Sequence, residues 1–145
     1  MRQLFAILSV CVILTASATA QAHTCKFASY GSSCGPVFTG KVAKNGNTNF
    51  VTMTLTKAKP RTRILILVGA VRLDIDLRPI FGGTLNCRLL VRPDFIQPHR
   101  TDTTGSYVWG HALPASHVGI AWAQVAELHT NGTVLTSNGL ELVCQ

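Results

Sequence analysis

Lys57, Lys59, Arg61 and Arg63 occupy every second position of one short segment, and Lys41 and Lys44 lie close by in sequence. Arg88 and Arg92 are separated by an even number of positions, which puts both on one face of an extended strand. Cations in such patterns attract polyanions, because the summed field draws the polymer in and each neutralised anionic group releases condensed counterion. The partner classes this chemistry suits are acidic polysaccharide, a phosphate-bearing envelope component, or nucleic acid outside the cell. No aromatic residues interleave with the basic ones, so specific nucleic-acid recognition is not expected. The bland alternative is a solvated basic surface that keeps an exported protein soluble and charges its sheet edges.

Other chemistry-bearing residues are sparser. Asp74 and Asp76 share one face of an alternating segment, as an acid–base pair or a Ca²⁺ site would need, but a half-buried strand also presents such a pair to water. The histidines at 23, 99, 111, 117 and 129 offer no i, i+2 or i, i+4 pair to a metal and read as surface residues. Ser, His and Asp are all present, yet no G-x-S-x-G elbow accompanies them. No catalytic residue, cofactor or metal is expected. Trp109 is the candidate glycan contact, in an alternative reading as a small carbohydrate-binding or carbohydrate-active protein that also uses Asp74 and Asp76. Asp94 and Asp102 flank a Pro-containing loop and suit turn capping. Gln124 sits in an otherwise apolar run and needs hydrogen-bond partners in the interior or at its rim.

The chain that must position these groups has 145 residues, 47% of them hydrophobic and 13% charged, with a net charge of +7. That suits one domain with one core and excludes a disordered polyelectrolyte. Arg2, the apolar run Leu4 to Ala16 and the small residues ending in Ala20-Gln21-Ala22 read as a cleaved signal peptide over 1–22, ahead of a secreted domain over 23–145. The apolar run, about 13 residues, is short of the ~20 that a spanning helix needs, and an uncleaved anchor is the rival reading. No transmembrane segment is expected in the mature chain, since Ile64 to Val68 is strand-sized. Cys11 leaves with the leader, and Cys25, Cys34, Cys87 and Cys144 remain. Their spacings, with 8, 52 and 56 intervening residues, lack a zinc-type close pair, so they read as two disulfides with three pairings open.

Strand patterns recur along the mature chain. Phe50 to Thr56 alternates threonine with apolar residues behind the Asn45-Gly46-Asn47 turn, and Arg72 to Leu77 alternates with Leu73, Ile75 and Leu77 inward. Ile64 to Val68 is continuously apolar, as a strand buried on both faces should be. Further strands are expected over Cys87–Val91, Ser106–Leu113, Val118–Leu128, Val134–Leu135 and Leu140–Cys144, with Asn131-Gly132 as a hairpin signal. The expectation is an all-β, antiparallel, jelly-roll-like sandwich of eight or nine strands, with no helix.

The stations Tyr30-Gly31-Ser32-Ser33-Cys34, Ile64 to Gly69, Ile75-Asp76-Leu77, Leu85-Asn86-Cys87-Arg88-Leu89 and Thr101 to Gly105 occur in that order, followed by Leu113-Pro114, Val118 to Gln124 and Thr136-Ser137-Asn138-Gly139-Leu140. In this order and spacing the mature chain resembles an uncharacterised β-sandwich module found at the C-termini of secreted bacterial proteins. The resemblance implies a sandwich fold and brings no activity or catalytic motif. It also implies that Cys34 pairs with Cys87, the two cysteines such modules keep, which leaves Cys25 to pair with Cys144. A bridge closing ~120 residues stabilises by roughly 4–5 kcal/mol, less any strain. The functional expectation is a secreted, non-catalytic interaction or structural module, with self-association through sheet edges as a further alternative.

Overall fold

A computed structural model describes residues 23–81 and 86–145, so the expected leader over 1–22 lies outside the described residues. The strands are β1 (Cys25–Tyr30), β2 (Val37–Asn45), β3 (Thr48–Thr56), β4 (Arg63–Gly69), β5 (Val71–Asp76), β6 (Arg88–Arg92), β7 (Phe95–Arg100), β8 (Tyr107–Pro114), β9 (Gly119–Leu128), β10 (Val134–Thr136) and β11 (Gly139–Cys144). One helical turn, α1 (Arg78–Phe81), follows β5. A six-stranded sheet has the order β1-β11-β9-β4-β7, with β10 also paired to β9; β2-β3-β8 form a second sheet and β5-β6 a hairpin layer. Every pairing is antiparallel. Among the described residues no helix is long and apolar enough to cross a membrane.

Alternation explains the two-sheet core. On β3 the threonines point outward, while Met53 and Leu55 join Phe38 of β2 against Ile64 and Ile66 of β4, Ala123 and Val125 of β9, and Leu140 of β11. The β2–β3 hairpin closes through Gly46-Asn47, with Asn45 facing Thr48 and Gly46 at a φ of 56° that favours glycine. β4 and β9 are buried on both faces for a different reason: β6 packs on their far side, burying Leu90 and Val91. That third layer is what the continuous run Ile64 to Val68 requires. Gly69 ends the run because a Cβ there would lie 1.9 Å from the Arg92 carbonyl oxygen.

Gln124, 0% exposed, ties the layers together. Its Oε1 accepts the Leu90 N–H at 2.9 Å, and its Nε2 donates to the Arg88 carbonyl at 2.8 Å and the Ser137 carbonyl at 2.9 Å. The segment Thr136-Ser137-Asn138 is polar yet buried, because each side chain replaces missing backbone pairs. The Val125 N–H donates to Ser137 Oγ, Thr136 Oγ1 donates to the Arg88 carbonyl, and Asn138 both accepts from and donates to the Phe38 backbone. Cys25 and Cys144, directly opposite in the β1–β11 register, form one disulfide; Cys34–Cys87 fastens the start of β6 to the segment after β1.

The sandwich and both bridges are as expected, with eleven strands instead of eight or nine. β1, β2 and β7 are the additions. β7 contains Pro98, which only an edge strand tolerates well, and β7 lies at the end of its sheet. The inward stripe expected of β5 is only partly buried: Leu77 is covered, but Ile75 is 43% exposed beside a register shift between Arg72 and Ile75. α1 is a single turn that the alternation of the preceding strand does not announce.

Gln124→Leu would strand the Leu90 N–H and the Ser137 carbonyl in the interior, while the Arg88 carbonyl keeps the Thr136 hydroxyl. At about 1–3 kcal/mol for each unsatisfied group, urea unfolding of the oxidised protein should show a loss of ~2 kcal/mol or more. A loss below ~1 kcal/mol would mean that the amide does not hold the layers. Cys25→Ala with Cys144→Ala should cost up to roughly 4–5 kcal/mol in the same measurement.

Candidate functional site

The basic segment between β3 and β4 is a loop held in place from beneath. Lys57 (φ 61°) and Arg61 (φ 53°) both adopt left-handed backbone, a conformation that costs a non-glycine residue about 1–3 kcal/mol. Two other segments, β9 and the turn between β7 and β8, secure it. The Lys59 N–H donates to Oε1 of Glu127, a residue 1% exposed, at 2.7 Å. Thr101 Oγ1 donates to the Lys59 carbonyl at 2.7 Å and accepts the Thr62 N–H at 2.9 Å. The Arg61 N–H reaches the Asp102 carbonyl, and the Ala58 N–H reaches the Gly105 carbonyl. Gly105 has φ 77°, and a Cβ there would lie 1.9 Å from the Ala58 carbonyl oxygen, so only glycine lets this turn close against the loop. Asp102 caps the turn: its Oδ1 accepts the Ser106 N–H, the Thr104 hydroxyl and the Thr104 N–H. Those bonds, the Ser106 one foremost, hold its carboxyl below the usual carboxylate range.

At the same end of the sheet, Arg61, Thr62, Arg63, Arg100, Leu128, His129 and Thr130 line a groove of about 310 Å³. Strand register builds it. Arg63 of β4 faces Arg100 of β7 on one side and Leu128 of β9 on the other. Like charges directly opposite on neighbouring strands are destabilising, by roughly 0.2–1 kcal/mol. No carboxylate of the described residues lies within ion-pair distance of Arg61, Arg63, Arg100, Lys57 or Lys59. Such a groove can hold a compact anion through arginine forks. His129 walls one side. Its Nε2 lies 3.0 Å from Glu127 Oε1 without hydrogen-bond alignment, so proximity is all that this contact supplies.

The remaining candidates lie elsewhere. Arg88 is ion-paired with Asp74 and Arg92 lies 3.8 Å from Asp94, both in the β5–β6 layer and outside the groove. Asp76 is engaged by the guanidinium and then the backbone N–H of Arg78, which bring its carboxyl down to about 2. Asp74 and Asp76 therefore each have an arginine partner. Asp94 Oδ2 caps the Ala70 N–H at 2.8 Å. Arg72 lies over the Tyr30 ring at 4.4 Å, while burial pushes the Tyr30 hydroxyl up to about 12.

Trp109 sits on the inner side of β8, packed against the core. With Phe27, Met53, Val68, His111 and Leu113 it lines an apolar cleft of about 190 Å³ between the two sheets. Its ring is turned into the sandwich instead of standing outward as a stacking platform. His99 Nδ1 and the Tyr107 hydroxyl share a 2.8 Å hydrogen bond, and among the described residues no three His, Cys, Asp or Glu side chains gather.

Arg100 carries no distinguishing pattern in the sequence, and His129, expected only as a surface histidine, is a groove residue. Arg100 lies two residues beyond Pro98, in a segment read as loop; the β4–β7 register is what brings it beside Arg63. Comparisons of the chain with protein-family models, with curated proteins and with solved structures find no match.

The Asp102 cap makes a pH signature. Its folded-state pKa lies below the unfolded value of about 3.9, so its contribution to stability is complete above that value and is lost as pH falls through the lowered one. Asp102→Asn keeps the shape and removes the charge. The difference in urea midpoint between wild type and variant should therefore be full at about pH 5 and shrink toward about pH 2. A difference that stays constant over that range would contradict the capping role.

Proposed function

We propose that the chain is a secreted, non-catalytic interaction module of the cell envelope or extracellular space that binds an acidic polymer at the groove of Arg61, Arg63 and Arg100. The observation that carries this reading is the set of three arginines without carboxylate partners on a prearranged frame, whereas Arg78, Arg88 and Arg92 all have acidic partners. Lys57 and Lys59 extend the same positive rim, and the net charge of +7 favours approach of a polyanion. Two disulfides suit an oxidising compartment outside the cytoplasm, to which the leader expected over 1–22 would deliver the chain. The resemblance to the C-terminal sandwich modules of secreted bacterial proteins points to the same setting.

Single contacts of this kind are weak, and a polymer gains by making several at once. With three to five anionic groups neutralised, the association constant should fall roughly 20- to 500-fold between ~50 and ~200 mM salt. Heparin and polyphosphate, titrated at both salt concentrations, are suitable probes. Arg61→Glu with Arg100→Glu should weaken binding most and Arg92→Glu little. Absence of binding at low salt would overturn the proposal. A salt-insensitive interaction lost in Trp109→Ala would replace it with the carbohydrate-binding reading.

Self-association is a second reading, favoured by Phe95 and Ile96, which are 69% and 54% exposed on the edge strand β7. Pro98 shortens the edge open to a partner strand. A concentration-dependent elution volume in size-exclusion chromatography would support it.

A further inference from the structure

We infer that the groove is a site for a phosphomonoester carried on a saccharide, an assignment that rests on the acidic-polymer reading and narrows it to one anionic group. Arg61, Arg63 and Arg100 come from a loop and two adjacent strands, so three arginines line one cavity. A carboxylate is a planar monoanion with two oxygens and is matched by a single arginine fork. It would leave the other two arginines without a partner and their mutual repulsion largely in place. A phosphomonoester carries a charge of about −1.5 to −2 near neutral pH and three terminal oxygens, enough to accept from all three forks. A sulfate monoester has the oxygens and only one charge.

Groove size and lining supply the second half of the assignment. About 310 Å³ exceeds what a bare phosphate fills, so the group bearing the phosphate enters too. The rest of the lining is Leu128 and His129 with the hydroxyl-bearing Thr62 and Thr130, an apolar patch and an imidazole beside small polar groups, which suit the face and hydroxyls of a sugar ring. No Phe, Tyr or Trp lines this groove, which disfavours the stacked bases of single-stranded nucleic acid. Prearrangement adds to the selectivity. The loop bearing Arg61 is fixed by Glu127, Thr101, Asp102 and Gly105, so little ordering remains to be done when the anion binds. Outside the groove, Lys57 and Lys59 contribute attraction that does not discriminate among anions, because an ammonium group acts as a point charge.

The test uses the oxidised mature chain, isotope-labelled for amide NMR, titrated with glucose 6-phosphate, inorganic phosphate and glucuronate at ~50 mM salt. Glucose 6-phosphate should bind at least ~10-fold more tightly than glucuronate and more tightly than inorganic phosphate, shifting amides of residues 61–63, 100 and 128–130. Arg100→Ala should abolish the preference for phosphate over carboxylate, and Arg100→Lys should reduce it although the charge is kept. Both variants should retain the wild-type circular dichroism and urea midpoint, and Arg100→Ala should match or better that midpoint because it removes a like-charge pair. Equal affinity for glucuronate and glucose 6-phosphate, with heparin or polyphosphate binding intact, would overturn this assignment and leave the broader reading standing. Inorganic phosphate binding as tightly as glucose 6-phosphate would overturn the saccharide half. Failure of the polymers as well would remove both.

Discussion

A single amide carries the heaviest constraint in this molecule. β9 runs through the middle of three layers, so both its faces must be covered, and aliphatic packing alone would leave the outer hairpin free to slide. Gln124 removes that freedom by bonding to the backbone of Leu90, Arg88 and Ser137. Directional bonds in a dry interior are costly to leave unmade, which turns three modest interactions into a strict choice of register. The buried turn Thr136-Ser137-Asn138 continues the work, joining β9 to the hairpin layer and β2 to the main sheet. Cys34–Cys87 then restrains the start of that hairpin covalently.

Once the layers are registered, local conflicts can be concentrated at one end. Two left-handed non-glycine residues and a pair of facing arginines lie around the groove. None of these features stabilises the fold on its own account. They persist because Ala58, Thr101, Gly105 and Glu127 over-determine the loop, and a binding anion would relieve the repulsion that the frame tolerates. The cleft at Trp109 lies between the sheets, with almost wholly apolar surroundings, and shares no residue with the groove.

Much of the architecture was written in the order of residue types. Threonine–apolar alternation over Phe50 to Thr56 gives a one-sided strand, and the unbroken run Ile64 to Val68 gives a two-sided one, because side-chain direction has a period of two in any extended chain. Gln124 in an apolar run had to find partners, and Asp94 and Asp102 had to cap something, since short polar side chains near turns satisfy backbone groups. The cysteine pairing followed from a resemblance, and β1 and β11 lie side by side with Cys25 opposite Cys144. The basic segment was visible as well, though its shape was not.

Tertiary pairing decided the rest. Which arginines act together depends on which strands are neighbours, and β4, β7 and β9 are brought side by side from distant parts of the chain. Arg88 and Arg92 looked equivalent to Arg61 and Arg63 until folding placed carboxylates beside the first two and another arginine beside Arg63. Trp109 looked like a surface aromatic until β8 turned it toward the core. Alternation within a strand is local and therefore legible from the sequence. Sheet order and the third layer are set by contacts between residues far apart in the chain, and those exist only once the whole core has closed.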